Sequence, residues 1–247
     1  ECIRVGVALD AYARRRGCTA ESPLVFYGTS CADGTHARAL AEYAAGRIIT
    51  LTDSPHTANG EAFRRLLNHA HSHFHLGPYV DVTPEWLQEH PVPALREGFD
   101  VVWENTTFQM YGPQRSEQIA YVKRGLKPGA LMICIEKFAA EDRAAYARRE
   151  LIKDDLFKAR YFDPDDIVRK RGTILTAMEV MQVTLPALAD ALHEHFEHAW
   201  VVWSSSNFHE VVASDDRDAL DAFLGVLPPP YVPAPFAPEG AIVRRLF

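Results

Sequence analysis

Residues 99–138 read FDVVWENTTFQMYGPQRSEQIAYVKRGLKPGALMICIEKF, and this stretch decides the fold class. Two apolar runs of strand length, residues 101–103 and 130–135, flank a segment that has apolar residues at helical spacing. A Lys127-Pro128-Gly129 turn leads into the second run. Apolar runs that alternate with an amphipathic helix are typical of parallel strands buried on both faces. The stretch therefore predicts an α/β protein with a mainly parallel sheet.

Polar residues follow each of these two runs. Glu104, Asn105 and Thr106 come after the first run, and Glu136 and Lys137 end the second. In parallel α/β sheets, ligands bind beyond the carboxyl ends of the strands. We therefore expect a binding site at this edge of the sheet.

The composition limits the classes of partner. The chain has 247 residues, of which 47% are hydrophobic and 24% are charged, and its formal net charge is −7. A negative net charge argues against binding to a nucleic-acid backbone or to an anionic membrane surface. The four cysteines lack CxxC spacing, and the first residues show no signal-peptide pattern. We expect a cytoplasmic protein that acts on a small molecule, with no nucleic acid and no membrane as partner and with a homodimer left open.

Helix and turn patterns divide the chain into one domain and a tail. Strands are predicted near residues 24–28, 47–51, 101–103, 130–135, 199–203 and 208–213, with a short third strand closed by Tyr79-Val80-Asp81. Charged helical segments over about residues 139–196 form an insertion that we expect to cap the substrate. We predict a single domain over residues 1–226 and a proline-rich tail over residues 227–247.

Two phrases carry a resemblance to a known superfamily. Leu126-Lys127-Pro128-Gly129 precedes the fifth strand, and Asp33-Gly34-Thr35 closes the loop after the first strand. In both phrases the chain resembles the class I S-adenosylmethionine-dependent methyltransferases. The resemblance implies a Rossmann-like fold with a seven-stranded, mostly parallel sheet, an antiparallel last strand and a helical cap. It also implies S-adenosyl-L-methionine as the cofactor.

The resemblance assigns the methionine part of the cofactor to the loop after strand one. A loop that opens a helix holds anionic groups by its backbone N–H groups. In the family, an acid usually stands where this chain has Gly28, and two glycines stand where it has Ser30 and Ala32. The residues predicted to line this part of the site are Tyr27, Gly28, Thr29, Ser30 and Asp33.

The next strand ends supply the remaining predicted cofactor contacts. Asp53, followed by Ser54, is expected to accept both ribose hydroxyls, because a carboxylate accepts on two oxygens. This acid lies one position later than the family's acid. Asp81 matches the position at which relatives hold the adenine amino group. Glu104 and Asn105 complete the predicted set.

The second half of the chain is similar to a narrower family, the carboxy-S-adenosylmethionine synthases. The matching phrases include Asn105-x-Thr107-x-Gln109, Glu136-Lys137-Phe138, Lys170-Arg171 and Asn207-Phe208. The resemblance implies that Arg171 binds a carboxylate, for which the planar guanidinium is well suited. It implies a common architecture and leaves the reaction open.

The predicted catalytic residues are drawn from the strand ends and the cap. Asn105 and Thr106 are expected to face the reacting carbon. Tyr111, Tyr146 and Tyr161 are the candidates for an aromatic wall against the positive sulfur. His209 is a candidate general base. We predict no metal: the histidines of residues 69–75 are interpreted as a polar helix end that runs into a loop.

These observations favour methyl transfer from S-adenosylmethionine to a small molecule, with a carboxylate-bearing acceptor as one option. A second hypothesis keeps the cofactor but attacks its aminocarboxypropyl carbon, either by an acceptor or by cyclisation to a small-ring amino acid such as azetidine-2-carboxylate, with release of methylthioadenosine. A carboxy-transfer reaction and a non-catalytic binding subunit are the remaining alternatives.

Overall fold

The structure is a computed structural model that describes residues 1–237 and 243–247, so residues 238–242 of the predicted tail lie outside the described residues. The strands are β1 (Leu24–Thr29), β2 (Ile48–Ser54), β3 (Ser72–Leu76), β4 (Phe99–Asn105), β5 (Leu126–Lys137), β6 (His198–Ser205), β7 (Phe208–Ser214) and β8 (Arg244–Arg245). In the described chain they form one sheet in the order β3-β2-β1-β4-β5-β7-β6-β8.

The sheet is parallel from β3 to β5 and antiparallel beyond it. Strand β7 runs antiparallel to its neighbours β5 and β6, and β8 pairs antiparallel with β6. The mostly parallel sheet that the sequence predicts is therefore confirmed, and the two-residue β8 adds an eighth strand to the seven expected. Chain order reverses between β1 and β4, which makes their carboxyl ends the topological switch point where α/β sheets bind ligands.

The α-helices cover both faces of the sheet and form the insertion after β5. They are α1 (Cys2–Arg15), α2 (Thr35–Tyr43), α3 (Thr57–Leu66), α4 (Pro84–Gln88), α5 (Arg115–Lys123), α6 (Arg143–Leu156), α7 (Pro164–Lys170), α8 (Thr176–Glu179), α9 (Leu185–His193) and α10 (Arg217–Leu224). Helices α6 to α8 lie between β5 and α9, with a π-helical segment, Arg171–Leu175, joining α7 to α8. Helix α9 packs against α5 and β6 and so belongs to the layer on the sheet.

Alternate residues of each strand pack into two separate apolar cores, because successive side chains point to opposite faces. One face buries Tyr27, Val102 and Met132 with residues of α5 and α9. The other buries Phe26 and Trp103 with residues of α1, α2 and α10. The near-continuous burial of β1 and β4 explains why their sequences read as uninterrupted apolar runs.

The third strand differs from its prediction. Tyr79–Asp81 forms a 3₁₀-helix, and the strand is Ser72–Leu76, which contains His73 and His75. Within the described residues, strand β3 pairs with β2 alone and lies at the edge of the sheet, so it does not need the apolar pattern of a central strand. The histidines of residues 69–75 therefore enter a strand, and the expected helix end falls earlier, at Leu66.

The described part of the tail lies along the protein's own surface. The backbone N–H of Ser206 donates to the Phe236 carbonyl at 2.7 Å, and that of Leu246 donates to the Ala199 carbonyl at 2.8 Å. Among the described residues, each helix is too short or too polar to span a bilayer.

Candidate functional site

Hydrogen bonds join the loops that follow β1 and β4. Thr29, the last residue of β1, lies in register with Glu104 of β4. The hydroxyl of Thr107 donates to the Thr29 carbonyl at 2.9 Å and lies 3.1 Å from the Thr29 hydroxyl. All three side chains are buried. The switch point is thus a fixed junction, with one loop on each side.

The loop after β1 keeps a glycine-like backbone without the usual glycines. Ser30 has φ 46°, Ala32 has φ 49° and Gly34 has φ 70°, all in the left-handed region. The two non-glycine residues stand at the positions where the resembling family has glycines. Left-handed backbone is strained for residues with a Cβ, and such strain concentrates at functional sites. The loop then opens α2, whose first N–H groups point towards the same edge.

Asp33 is committed to this turn. Its Oδ1 accepts from the Thr35 backbone N–H at 3.1 Å and from the Thr35 hydroxyl at 2.7 Å. The Thr35 hydroxyl is the main reason that the pKa of Asp33 lies below the ordinary aspartate value. In this structure Asp33 shapes the start of α2, and its direct contact with a cofactor stays a prediction.

Asp53, on β2, holds the loop that follows β1. Its carboxylate is fully buried and accepts from the Tyr27 hydroxyl at 2.8 Å, from the Ser30 backbone N–H at 2.8 Å and from the Ser30 hydroxyl at 3.0 Å. Burial raises the pKa of Asp53 to about 6, although these hydrogen bonds favour its charged form. Asp53, which is predicted to contact the ribose, therefore already accepts hydrogen bonds from Ser30 and Tyr27. The ribose contact stays a prediction.

Gly28 has no room for the acid that the family places there. A Cβ built on Gly28 would lie 2.9 Å from the Cys31 sulfur and 3.2 Å from the Phe26 ring. Cys31 itself is held in the loop, with its sulfur 3.4 Å from the Thr29 carbonyl. Burial raises the pKa of the Cys31 thiol, so this group is neutral. An uncharged thiol thus occupies the space beside β1 where the resembling family has a carboxylate.

Glu104 supplies a buried carboxyl group on the neighbouring strand. Its Oε1 accepts from the backbone N–H groups of Thr107 at 2.5 Å and Phe108 at 3.0 Å, and so caps the 3₁₀-helix Phe108–Met110. Its Oε2 is buried and has no hydrogen-bond partner in the described structure. Burial, and then the charge of Glu136, raise the pKa of Glu104 well above the ordinary glutamate value.

Glu136 of β5 is paired with Arg115 of α5. The Arg115 guanidinium donates to both of its carboxylate oxygens, at 2.8 Å from Nε and 2.6 Å from Nη2. Both side chains are buried. The sequence did not predict this pair, because Arg115 and Glu136 lie on different elements and no short motif joins them.

Asn105 and Thr106 form the turn beyond β4. Thr106 has φ 58°, and its backbone N–H donates to the Ile135 carbonyl of β5 at 2.9 Å. Both residues are half-buried at the rim of the switch point. This places them where the sequence predicts a reacting group, and their catalytic roles stay predictions.

Aromatic rings cover the same edge. The Tyr79 ring lies 5.0 Å from that of Tyr111 and 5.8 Å from that of Phe108. Burial raises the pKa of Tyr111, and the nearby Ser30 side chain partly offsets this. Tyr111 was predicted for an aromatic wall, whereas Tyr79 was assigned to a strand and was not predicted for the site. Aromatic faces beside carboxyl groups suit a cationic ligand.

Other predicted site residues lie further out along the edge. Ser54 accepts from the Asn59 side chain at 2.8 Å and so orders the start of α3. Asp81 lies half-exposed in the 3₁₀-helix, 3.7 Å from the His75 ring nitrogen. Both flank the site on the β2 and β3 side, where the ribose and adenine contacts are predicted.

Tyr161, Arg171 and His209 are not grouped with the switch-point residues. Tyr161 is 68% exposed and contacts the Phe157 ring, and Arg171 forms an ion pair with Asp154 within the cap. His209 lies on β7, with Nδ1 2.8 Å from the Ser204 hydroxyl. Their catalytic roles remain predictions that require substrate to bridge the cap and the sheet.

Beneath the cap lies a polar layer that joins it to β5. The Lys137 amine is buried 3.0 Å from Glu150 and 5.1 Å from the centre of the Tyr146 ring. The Tyr146 hydroxyl donates to Glu179 at 3.1 Å. A cavity of about 390 Å³ opens above this layer and is lined by Arg143, Tyr146, Glu150, Leu151, Arg171 and Glu179, among others.

Comparison with known proteins supports the fold. No protein-family model and no curated protein sequence matches the chain. Among solved structures, a plantazolicin methyltransferase, BpumL, in complex with S-adenosylhomocysteine and a substrate analogue, aligns with TM-score 0.57 at 8% identity, over 87% of this chain and 85% of that one.

Two further solved structures align over most of this chain. A possible exported protein from Bordetella parapertussis has TM-score 0.54 at 16% identity, over 83% of this chain and 66% of that one. A probable spermidine synthase from Corynebacterium glutamicum has TM-score 0.51 at 12% identity, over 99% of this chain and 74% of that one. Together with the strand order, these alignments show that the chain has the class I methyltransferase fold.

Proposed function

We propose that this chain is an S-adenosylmethionine-dependent transferase that binds its cofactor at the switch point between β1 and β4. The observation that carries the proposal is the left-handed backbone at Ser30, Ala32 and Gly34. The loop adopts this conformation although Ser30 and Ala32 are not glycines and are therefore strained in it. BpumL, which shares the fold, holds S-adenosylhomocysteine.

The donor groups at this edge fit such a cofactor. The N–H groups at the start of α2 suit its carboxylate. The rings of Tyr79 and Tyr111 suit a positive sulfur. When bound, the cofactor would supply an electrophilic carbon on a sulfonium. The chain then has to position an acceptor in line with that carbon and exclude water.

We further propose methyl transfer to a small molecule, taken up on the cap side. The cap cavity of about 390 Å³ has arginines and carboxylates in its lining. Arg143 and Arg171 suit a carboxylate on the acceptor, because guanidinium groups bind carboxylates with two donors. The half-buried turn at Asn105 and Thr106 lies at the end of β4, beside β5, whose last residue reaches the polar layer under the cap.

One feature favours the second hypothesis, in which the aminocarboxypropyl carbon is attacked. Cys31 fills the space of the usual acid at Gly28, so the amino-acid part of the cofactor meets a different set of groups on β1. Different contacts to the amino-acid part would place the aminocarboxypropyl carbon, in place of the methyl carbon, in line with the nucleophile. Methylthioadenosine would then be the product.

Mass spectrometry of the protein incubated with S-adenosylmethionine separates these functions. S-adenosylhomocysteine that forms only with added small-molecule extract supports methyl transfer. Methylthioadenosine that forms without any acceptor supports the second hypothesis. Calorimetry tests the shared premise: micromolar binding of S-adenosylhomocysteine supports the proposal, and absence of binding leaves a non-catalytic role for the fold.

A further inference from the structure

We propose that Glu104 accepts a hydrogen bond from the ammonium group of the cofactor's amino-acid part. The inference rests on the proposed function and deepens it. It concerns one atom, Oε2 of Glu104, which is buried and without a hydrogen-bond partner in the described structure. A buried polar oxygen in this state is costly unless a ligand completes its hydrogen bonding.

The other carboxylates near the switch point are already engaged. Asp33 holds Thr35, and Asp53 holds Tyr27 and Ser30. Glu136 accepts two hydrogen bonds from the Arg115 guanidinium. Glu104 is in register with the last residue of β1, and one of its oxygens has no partner. Among these carboxylates, Glu104 is therefore the one with an acceptor oxygen that no group of the described structure engages.

The chemistry of the orphaned oxygen selects the ammonium group over the sulfonium. A carboxylate oxygen requires an N–H or O–H donor, and an ammonium group offers three. A sulfonium offers none, and the faces of Tyr79 and Tyr111 suit it better. The two positive groups of the cofactor are thus assigned to different parts of the site.

This assignment links binding to proton release. Burial raises the pKa of Glu104, which favours the protonated form of its carboxyl group in the free protein. An ammonium group in hydrogen-bond contact favours the carboxylate, so the proton leaves to solvent as the ligand binds. Affinity then rises with pH, by about tenfold per unit at most, until the pH exceeds the pKa of the free protein.

The test compares two ligands that differ in the amino-acid part. S-adenosylhomocysteine carries the ammonium group and no sulfonium, and methylthioadenosine carries neither. Calorimetry in buffers of different ionisation enthalpy, from pH 6 to 9, counts the protons released. We expect the wild-type protein to release protons with S-adenosylhomocysteine and none with methylthioadenosine.

The Glu104→Gln variant completes the design, since a glutamine oxygen can still accept from Thr107 and Phe108. We expect at least tenfold weaker binding of S-adenosylhomocysteine, no proton release, and unchanged affinity for methylthioadenosine. Glu117→Gln makes the same chemical change at an exposed position of α5 and is the control.

The outcomes distinguish the role of Glu104 from the proposed function. Wild-type binding of S-adenosylhomocysteine without proton release overturns the role of Glu104 and leaves the proposed function standing. This result needs no variant, so it holds even if Glu104→Gln fails to fold. Failure of both ligands to bind the wild-type protein overturns the proposed function and the inference with it.

Discussion

Asp53 of β2 holds Ser30 of the β1 loop by two hydrogen bonds, from the Ser30 backbone N–H at 2.8 Å and from its hydroxyl at 3.0 Å. The strained loop is thus fastened to the neighbouring strand by a buried carboxylate. Whether Asp53 contacts ribose or only fixes the loop, its loss disturbs the predicted cofactor site.

Asp53→Ala is expected to weaken binding of S-adenosylhomocysteine by on the order of tenfold, because the loop loses its anchor. Calorimetry measures the change. Asp218→Ala is the matched control. It removes an exposed acid from α10, the helix that follows β7 at the edge of the sheet away from the switch point. Equal affinity in wild type and Asp53→Ala would show that neither the ribose contact nor the loop anchor supports binding.

Asp53 also predicts how stability changes with pH. Its pKa is raised from the ordinary aspartate value of 3.8 to about 6, so the folded state binds more protons than the unfolded state between these values. The free energy of unfolding should therefore fall as pH rises from about 4 to about 6, by roughly 2–3 kcal/mol from this group. Urea unfolding at several pH values measures it. In Asp53→Asn this part of the pH dependence should disappear, and an identical profile would contradict the prediction.

Ala32→Gly is expected to stabilise the protein by about 0.5–1 kcal/mol. Ala32 has φ 49°, where a Cβ is unfavourable, and glycine relieves that strain despite its greater unfolded-state entropy. Ala39→Gly, at an exposed position within α2, should have the opposite sign, with a loss of about 1 kcal/mol. Thermal or urea unfolding compares the two. A loss of stability in both would mean that the loop does not hold Ala32 in the left-handed region.

The sequence predicted those features that depend on local pattern. The order of strands and helices follows from apolar runs and their spacing, as in residues 99–138, so the topology could be anticipated. The edge strand β3 was predicted too late in the chain, because His73 and His75 interrupt the expected apolar pattern. Tyr79 was therefore assigned to a strand and not to the site, where the structure places its ring beside that of Tyr111.

Contacts between elements that are distant in the sequence could not be predicted from local sequence patterns. The engagement of Asp53 by Ser30 depends on the register of β1 and β2 and on the loop's path. The pairing of Arg115 with Glu136 joins α5 to β5 across the core. A charged residue inside an apolar strand signals a buried partner, but the sequence alone does not say which residue provides it.

Arg115→Met is expected to cost about 3–5 kcal/mol, because it leaves Glu136 as an uncompensated charge in a fully buried position. Adding Glu136→Gln should recover much of this loss, since the second change removes that charge. Urea unfolding of the four proteins in the cycle measures the coupling. Additive effects of the two substitutions would contradict a direct pair.

Gly28→Ala tests whether Cys31 fills the space of the missing acid. The added Cβ would lie 2.9 Å from the Cys31 sulfur, so we expect a loss of about 1–3 kcal/mol from overpacking. In a Cys31→Ala background the sulfur is gone, and the cost of Gly28→Ala should fall, leaving only the contact with Phe26. Unfolding of both single variants and the double variant gives the coupling between the two positions. The same penalty in both backgrounds would show that the thiol does not occupy this space, and the steric reason for the absence of an acid on β1 would be wrong.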